Sequence, residues 1–278
     1  MEQKSVLVTG GGGFIGSHLC CKLAKRGYKV YALNRSLISK NPQFNQLVEK
    51  GVIEHLAGDI VTYDYSRLSR VDYVYHVAGK VSVWGKLAEF MEVNYNGTER
   101  LLEYCKRVRP SCFCFFSSAC VYGYTGYVNL KENAPKRPFK NPYPISKLKT
   151  EELVKSVCTF NNLNFVIIRP GNVYGEYDYT SSHEIYTRVR GEKMAICARG
   201  KYKSCFVYVG NLVDAVITAS ENPQAHNTDY NISDGYDETL NQYLSAVAEA
   251  FKVRPKFFNV PAFFAKAGAC FIEFFYKL

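Results

Sequence analysis

The chain has 278 residues, of which 47% are hydrophobic and 22% are charged, and its formal net charge is +10. This length supports one large domain or two small ones with a substantial core, and the composition argues against a disordered chain or a membrane-spanning protein. The N-terminus shows no basic and apolar signal segment, so we expect a cytoplasmic protein whose ten cysteines are reduced thiols. The spacing of Cys and His matches no metal-ligand pattern, and we expect no metal ion.

Short β-branched or aromatic runs alternate with helical patterns as far as Pro170, which is typical of βαβ units around a parallel sheet. Strands are predicted near Ser5–Thr9, Tyr28–Leu33, Val52–Leu56, Asp72–Val77, Cys112–Ser117 and Asn164–Ile168. Helices are predicted at Phe14–Arg26, Leu87–Arg107 and Tyr143–Phe160 and, after the pattern loosens, at Asn211–Ser220 and Thr239–Phe251.

The predicted fold class is α/β: a Rossmann-type, doubly wound parallel sheet with helices on both faces and a smaller, discontinuous C-terminal substrate lobe. The dinucleotide-binding domain is predicted to comprise residues 1–170, with residues 205–222 returning to it. The substrate lobe is predicted to comprise residues 171–204 and 223–278.

Four consecutive glycines separate the first predicted strand from the first predicted helix. Within them and the helix start, Gly10, Gly13 and Gly16 have the spacing Gly-x-x-Gly-x-x-Gly. In this context the first glycine turns the chain, the second lets the backbone approach a pyrophosphate, and the third lets helix and strand pack closely. Free N–H groups at the helix start then bind the anion. The sequence therefore predicts a dinucleotide site that includes the neighbouring Phe14 and Ile15.

The end of the second predicted strand bears on which nicotinamide dinucleotide is bound. An acidic residue about 20 residues after the glycines normally binds the ribose of NAD. This sequence has Asn34 there, followed by Arg35 and Ser36. Asn34 does not repel a 2′-phosphate, and Arg35 offers planar donors to one. We expect NADP(H) to be preferred; the alternative is NAD(H), with Arg35 solvated or stacked on adenine.

The ends of the next two predicted strands carry further candidates, because ligands of doubly wound sheets bind beyond the carboxyl ends of the strands. "GDI" follows the third strand and "HVAGK" follows the fourth. His76 is expected to be structural, since the sequence offers it no partner carboxylate. The predicted cofactor-lining residues of these two stretches are Asp59, Ile60, Val77, Ala78, Gly79 and Lys80.

Tyr143 and Lys147 are four residues apart, so their side chains occupy one face of a helix, one turn apart. The same Tyr-x-x-x-Lys spacing occurs at Tyr127 and Lys131, in a loop rich in Gly and Asn. Tyr143 instead begins a long helix soon after a strand that ends in serines, and Pro144 suits a first helical turn. Context therefore favours the second pair.

This pair and a nearby hydroxyl predict acid–base chemistry at a substrate oxygen. A phenol with a pKa near ~10 is a poor proton carrier at neutral pH. The ammonium of Lys147 would stabilise the phenolate of Tyr143 and lower that pKa. Ser118 is placed to donate a hydrogen bond to the substrate oxygen as charge develops there.

Eight stretches resemble, in family order, the extended short-chain dehydrogenase/reductase superfamily, also called the NAD-dependent epimerase/dehydratase family: "TGGGGFIG", "GDI", "HVAG", "VNYNGTERLL", "SSACVYG", "YPISK", "RPGNVYG" and "FVYVGNLVDA". The resemblance implies that Ser118, Tyr143 and Lys147 form the catalytic triad. It also implies a homodimer packed through the two long helices. The further cofactor-site residues that it implies are Asn94, Ser117, Pro170, Gly171, Asn172 and Val173.

The stretch "HVAGKVSVWG" is most similar to the 3β-hydroxysteroid dehydrogenase-like branch, which acts on hydroxyl or keto groups of largely apolar substrates. "RPGNVYG" is close to nucleotide-sugar epimerases instead. Ala119 and Cys120 stand where dehydratases usually carry an acidic pair, which argues against sugar dehydration. The predicted substrate contacts are Val81, Trp84, Ser118 and Arg190.

The sequence supports three hypotheses for the function of the protein. The first is NAD(P)-dependent hydride transfer at a secondary alcohol or ketone carbon of a sterol-like or 3-oxo substrate. The second is a nucleotide-sugar epimerase or reductase with a transient ketone, favoured by the basic cluster Arg188–Lys203, whose charge suits a diphosphate. The third is a non-catalytic NADP(H)-binding protein.

The net charge and the C-terminal composition bear on two other partners, nucleic acid and a membrane surface. Nucleic-acid binding is not expected, because no basic stripe interleaves with aromatic residues in a known module. The Phe-rich stretch that starts at Phe257 predicts a helix that packs on the second lobe or contacts a membrane surface.

Overall fold

The computed structural model describes residues 3–36, 38–82, 84–123, 129–180, 182–191, 193–236, 238–261, 263–265 and 268. The chain forms two compact units, one of Met1–Tyr177 with Val207–Asp234 and the other of Asp178–Phe206 with Gly235–Leu278. These boundaries differ from the predicted ones. Residues 171–177 and 223–234, predicted in the smaller lobe, belong to the larger unit, and residues 205–206 belong to the smaller one.

Eleven strands and eight α-helices occur in the described part of the chain. The strands are β1 (Ser5–Thr9), β2 (Lys29–Asn34), β3 (Ile53–Ala57), β4 (Tyr73–His76), β5 (Cys112–Phe116), β6 (Phe165–Pro170), β7 (Asn172–Tyr174), β8 (Lys193–Cys197), β9 (Phe206–Tyr208), β10 (Thr228–Ile232) and β11 (Lys256–Val260). The helices are α1 (Phe14–Lys25), α2 (Pro42–Glu49), α3 (Leu87–Phe90), α4 (Gly97–Val108), α5 (Pro142–Phe160), α6 (Ser182–Arg190), α7 (Val209–Glu221) and α8 (Leu240–Ala250).

Seven parallel strands form the sheet of the larger unit, in the order β10-β6-β5-β4-β1-β2-β3. The chain runs from β1 outward to β3 and then returns to β4 on the other side of β1. In doubly wound folds such a reversal places a ligand-binding crevice beyond the carboxyl ends of the two strands, here β1 and β4. The Rossmann-type prediction is confirmed. The seventh strand, β10, was not predicted, because its half-buried sequence TDYNI lacks an apolar run.

Helices cover both faces of this sheet, because alternate strand residues point to opposite faces. In β1, Val6 and Val8 belong to one buried cluster together with residues of α1 and α7. Leu7 belongs to the other cluster, which includes residues of α4 and α5. One face of the sheet is therefore covered by α1, α7 and α2, whose Phe44 belongs to the first cluster, and the other face is covered by α4 and α5.

The predicted helix Leu87–Arg107 is interrupted. Its first turn is α3, and a π-helical turn at Met91–Asn96 leads into α4, which ends at Val108. A π-turn accommodates an extra residue and often marks a functional site. Here it places Asn94, whose residue exposure is only 2%, on the buried side of the turn.

The smaller unit has a parallel pair of strands, β8 and β11, and the helices α6 and α8. Tyr243 of α8 is central to it. Its ring stacks on Phe206 with centroids 4.0 Å apart, and its hydroxyl lies 3.1 Å from that of Tyr186 in α6. Among the residues that the structure describes, no helix is long and apolar enough to cross a membrane.

Truncation of Phe44 tests how α2 is held on the sheet. Phe44 is the buried residue of α2 and is fully inaccessible, so we expect Phe44→Ala to lower the free energy of unfolding by about 3–5 kcal/mol. Denaturant unfolding measures this change. The matched control is Phe160→Ala, because Phe160 is 87% exposed and should change stability by less than about 0.5 kcal/mol. Equal losses in the two variants would contradict the burial described here.

Candidate functional site

The first glycine turn is shaped by close backbone contacts. Gly10 has a φ of +69°, and its N–H donates to the carbonyl of Leu33 at 2.8 Å. A Cβ on Gly10 would lie 2.9 Å from the backbone N and Cα of Ala78. A Cβ on Gly16 would collide with the carbonyl oxygen of Gly10. Both positions therefore require glycine, in agreement with a tight turn and a close helix–strand approach.

The N-terminus of α1 is arranged as a cradle for an anion. Its capping residue is Gly13, which has no side chain, and the first bond within the helix runs from the Ser17 N–H to the Gly13 carbonyl at 2.9 Å. The N–H groups of the first turn thus point out of the helix at its positive end. The side chains of Phe14 and Ile15 pack against the core, so these residues offer their backbone to a ligand. The residues present fit a pyrophosphate.

The end of β2 is surrounded by an amide, a guanidinium and a carboxylate, so the charges there sum to zero. The amide of Asn34 donates to the Ser36 carbonyl at 2.8 Å. Arg35 is 80% exposed, and its Nη1 lies 3.6 Å from Oδ2 of Asp59. The other carboxylate oxygen of Asp59 accepts from the Val61 N–H at 2.9 Å. An exposed guanidinium thus stands beside a neutral amide at the predicted ribose position.

His76 is the centre of a buried chain of hydrogen bonds. The donor and acceptor roles of its two ring nitrogens follow from the bonds that Thr98 and Thr9 make at the ends of the chain. Thr98 Oγ1 donates to the carbonyl of Asn94, so it must accept from His76 Nε2–H, 2.8 Å away. Neutral imidazole has one N–H, and His76 Nδ1 therefore accepts from Thr9 Oγ1 at 2.6 Å. Thr9 Oγ1 in turn accepts from the Ala78 N–H at 3.3 Å. The chain ties the β4 loop to the π-turn, which is the structural role predicted for His76.

Asn94 joins the loop after β4 to the start of α5. Its Oδ1 accepts from the Lys80 N–H at 2.7 Å, and its Nδ2 donates to the Lys80 carbonyl at 3.2 Å. Nδ2 also donates to the Ser146 hydroxyl at 2.9 Å, which donates to the Tyr143 carbonyl at 2.7 Å. One buried amide therefore positions both the predicted cofactor loop and the first turn of α5.

Lys147 is a buried cation beside the same loop. Its Nζ donates to the Phe116 carbonyl at 2.8 Å and lies 5.0 Å from the Phe115 ring centroid. A Cβ on Gly79 would lie 3.1 Å from this Nζ and from Asn94 Oδ1, which brings the three residues together. Burial lowers the pKa of Lys147 to about 8, so the ammonium still predominates at neutral pH.

Ser118 and Tyr143 stand at the ends of neighbouring elements. Ser118 follows β5 and caps the 3₁₀ turn Ala119–Tyr122, where its Oγ accepts from the Cys120 N–H at 3.3 Å. The Tyr143 N–H donates to Oδ1 of Asn141 at 3.0 Å in the first turn of α5. Both residues are half-buried. With Lys147 one turn along, the three predicted catalytic residues lie around the end of β5 and the start of α5.

Several other predicted cofactor residues direct their side chains elsewhere. Ile60 lies in the core against Gly97, and Lys80 Nζ donates to Glu89 at 2.7 Å. The Gly171 N–H donates to the Ile232 carbonyl at 3.1 Å, which joins the end of β6 to β10. The side chains that pack against the core are those of Val77 and Val173, Pro170 is buried at the end of β6, and Asn172 is exposed.

The predicted substrate residues are exposed. Val81 is 72% exposed and Trp84 is 41% exposed, and both follow β4 in the larger unit. Arg190 ends α6 in the smaller unit, and its side chain is also exposed. These roles stay predictions.

Sequence reasoning missed the polar residues that support the site. Thr98, Ser146 and Thr150 hydrogen-bond around Asn94, and Glu151 and Arg169 form a buried ion pair. A signal was present, because Ser146, Thr150 and Glu151 lie on the buried face of α5. Buried polar groups need partners, so polar residues on such a face indicate a network.

The fold and this site define a class: an enzyme with a Rossmann-type domain that binds a nicotinamide dinucleotide. Comparison with known proteins identifies the family within this class. The sequence profile of the NAD dependent epimerase/dehydratase family matches residues 6–233, and the chain belongs to this family. The resemblance to the extended short-chain dehydrogenase/reductase superfamily is thereby confirmed.

Many of the relatives are nucleotide-sugar enzymes. The chain is 28% identical over 255 residues to a putative UDP-glucose 4-epimerase of Methanocaldococcus jannaschii, covering 87% of this chain and 81% of the relative. It is 28% identical over 262 residues to human dTDP-D-glucose 4,6-dehydratase, covering 90% of this chain and 74% of the relative. The structure of UDP-glucose 4-epimerase from Thermus thermophilus in complex with NAD matches with a TM-score of 0.77 and 29% identity, covering 92% of this chain and 86% of that one. Similarity to the hydroxysteroid dehydrogenase-like branch stays a prediction.

The buried imidazole makes stability depend on pH. Burial lowers the pKa of His76 to about 3, below its ordinary value near 6.5. The unfolded chain therefore binds a proton that the folded chain excludes, and stability is lost as pH falls below about 6.5. Between pH 7 and pH 5 this group should cost about 2 kcal/mol, measured by urea unfolding. His76→Asn should remove that dependence, whereas the exposed control His183→Asn should keep it; an unchanged slope in His76→Asn would contradict this assignment.

Proposed function

We propose that this protein is a nucleotide-sugar epimerase that works through hydride removal and return at one secondary alcohol carbon. The observation that carries the proposal is the grouping of Ser118, Tyr143 and the buried ammonium of Lys147 beside a glycine cradle for a dinucleotide. Similarity to UDP-glucose 4-epimerases supports the substrate class. The product differs from the substrate at one stereocentre, and the cofactor shows no net change.

The residues that would hold the cofactor are those of the crevice. The backbone between Gly10 and Gly16 would receive the pyrophosphate, Arg35 and Asp59 would face the adenosine, and Lys147 would bind the nicotinamide ribose. When bound, the nicotinamide supplies a reversible hydride acceptor next to the catalytic residues.

Tyr143 is the group proposed to take and return the proton of the substrate hydroxyl. Its phenol needs a pKa well below ~10 to do this at neutral pH. The ammonium of Lys147, one turn further along α5, favours the phenolate by charge. Ser118 contributes its O–H: its oxygen accepts from the Cys120 N–H, and its O–H would turn to donate to the substrate oxygen.

Sugar dehydration is not part of the proposal. Elimination of water needs a proton donor and a base beyond Tyr143, and the residues after Ser118 are Ala119 and Cys120. Burial raises the pKa of Cys120 to about 11, so its thiol stays protonated at neutral pH. Neither residue supplies the missing base.

A second candidate is reduction or oxidation of an apolar, sterol-like or 3-oxo substrate. Two exposed apolar residues favour it, Val81 and Trp84, which follow the fourth strand directly after the predicted cofactor loop. This candidate predicts stoichiometric consumption of NADH or NADPH with a ketone, whereas epimerisation predicts none.

Two predicted partners stay predictions. The outward residues Glu99, Arg100 and Glu103 make the exposed face of α4 charged at the predicted dimer contact with α5. The Phe-rich C-terminal stretch begins within the strand β11, where a helix was predicted, and lies largely outside the described residues; Phe263 and Phe264, which the structure describes, are 76% and 66% exposed. Size-exclusion chromatography and vesicle co-sedimentation test these two partners.

Loss of the Tyr143 hydroxyl tests the proposed chemistry. We expect Tyr143→Phe to lower kcat about 10²–10⁴-fold, because the substrate proton then has no carrier. The assay is proton NMR of UDP-glucose and UDP-N-acetylglucosamine, each followed toward its 4-epimer with catalytic NAD.

The control is Tyr127→Phe, in the other Tyr-x-x-x-Lys stretch; Tyr127 lies outside the described residues. It should keep kcat within about twofold. Full turnover by Tyr143→Phe, or wild-type consumption of the dinucleotide in step with product, would contradict the epimerase proposal.

Arg35 tests the predicted preference for NADP(H). If its guanidinium meets the 2′-phosphate, Arg35→Ala should weaken NADPH binding about tenfold and leave NADH binding within about twofold. Isothermal titration calorimetry measures both. Arg67→Ala is the matched control, because Arg67 is 81% exposed and pairs with Asp64 much as Arg35 stands beside Asp59. Equal effects of Arg35→Ala on the two dinucleotides would exclude a 2′-phosphate contact.

A further inference from the structure

Arg169, in β6, is fully buried and donates all five of its N–H groups. Nε and Nη2 bind the two carboxylate oxygens of Glu151, each at 2.7 Å, and Nη2 also binds Asp229 at 2.5 Å. Nη1 donates to the Tyr122 hydroxyl at 2.7 Å and to the Glu132 carbonyl at 3.4 Å. Burial alone would lower its pKa, but the hydrogen bonds and charge of Glu151 raise it above its usual value. The guanidinium is therefore charged and fully partnered.

One of these partners belongs to the catalytic helix. Glu151 lies one turn after Lys147 on α5 and also accepts from the Ser117 hydroxyl at 2.5 Å. Lys147 itself donates to the Phe116 carbonyl at 2.8 Å. Two successive turns of α5 are thus joined to two successive residues at the end of β5. Because Arg169 binds both carboxylate oxygens of Glu151, it fixes the rotation of α5 about its axis.

The opposite side of Arg169 holds the turn that carries the predicted catalytic serine. Tyr122 is the last residue of the 3₁₀ turn Ala119–Tyr122, and Ser118 caps the first residues of that turn. The Tyr122 hydroxyl accepts from Arg169 and donates to Oδ1 of Asn231 at 2.9 Å. One guanidinium therefore connects the helix of Tyr143 and Lys147 with the turn of Ser118.

We propose that Arg169 is a positioning residue that sets the distance between the Ser118 hydroxyl and the Tyr143–Lys147 pair through Glu151 and Tyr122. Its catalytic consequence rests on the function proposed above. The planar fork of arginine suits this task, since it reaches a carboxylate with two bonds and a phenol on the opposite edge. A lysine has three donors on one atom and cannot span both partners in this way.

A buried ion network that served stability alone would predict a different result. It would lower stability on substitution without a selective loss of turnover. Removal of Arg169 does not separate the two cases, because it leaves the buried carboxylate of Glu151 without its cationic partner and compromises folding. Milder changes are required.

Tyr122→Phe is the sharper variant, because it removes only the hydroxyl that links Arg169 to the serine turn. Its control is Tyr104→Phe, which removes a similarly buried phenol hydroxyl bonded to the Ser69 carbonyl at 2.6 Å, away from the site. We expect kcat to fall about tenfold in Tyr122→Phe and about 100-fold in Arg169→Lys, with the dissociation constant of NADH within about twofold of wild type. Tyr104→Phe should keep kcat.

A second readout does not depend on catalysis. Cys120 lies within the 3₁₀ turn and is 6% exposed. If Arg169 holds this turn through Tyr122, a maleimide should label Cys120 about tenfold faster in Tyr122→Phe than in Tyr104→Phe, as measured by mass spectrometry. The rate at Cys105, which is fully buried on α4, should stay unchanged.

These readouts separate the two proposals. Absence of turnover in the wild-type protein with every nucleotide sugar tested would overturn the proposed function, while the labelling rates would still report on the turn. Wild-type labelling of Cys120 in both Tyr122→Phe and Arg169→Lys would overturn the positioning role. A kcat within twofold of wild type in both variants would overturn it as well.

Discussion

The candidate site depends on one constraint: a lysine ammonium must be kept inside the protein, one helical turn from a phenol, without losing its charge. Lys147 is 3% exposed, and burial lowers its pKa to about 8. The Phe116 carbonyl and the Phe115 ring replace part of the water that the ammonium loses. Both partners belong to β5, so α5 must cross the end of that strand at a defined height. The position of Tyr143 follows, because it lies one turn earlier on the same helix.

Two polar networks maintain this geometry from the two sides of β5, one at β4 and one at β6. The chain through His76 is neutral and joins β1, β4 and the π-turn, whereas the network around Arg169 is charged and joins α5, β6 and β10. In both networks, the donors of His76, Thr9, Thr98 and Arg169 each have an acceptor. Buried polar groups that are paired in this way make a core more rigid instead of weakening it. Apolar packing supports the sheet, and these networks orient the residues at its edge.

Much of the larger unit could be predicted from the sequence, because apolar runs and glycine spacing are local signals. β1 was predicted at its exact bounds, and α5 begins one residue before the predicted Tyr143. The π-turn around Asn94 has no local signal, since it depends on contacts with Lys80 and Ser146 from distant parts of the chain. β10 and the strands of the smaller unit are short and partly polar, so their pairing partners define them more than their own composition. The Arg169 network was equally hidden, because it joins residues as many as 109 positions apart, as Tyr122 and Asn231 show.

β10 follows its sheet neighbour β6 only after a long intervening segment, and this order affects how the protein folds during synthesis. The strand leaves the ribosome only after the whole segment Asp178–Phe206 and α7 have been synthesised. Until then Arg169 has no contact with Asp229, and β6 remains an open sheet edge. Before β10 is made, the guanidinium of Arg169 therefore lacks one of its carboxylate acceptors, Asp229. Completion of the scaffold of the candidate site therefore waits for the synthesis of β10, and until then the unpaired edge of β6 is open to edge-to-edge association.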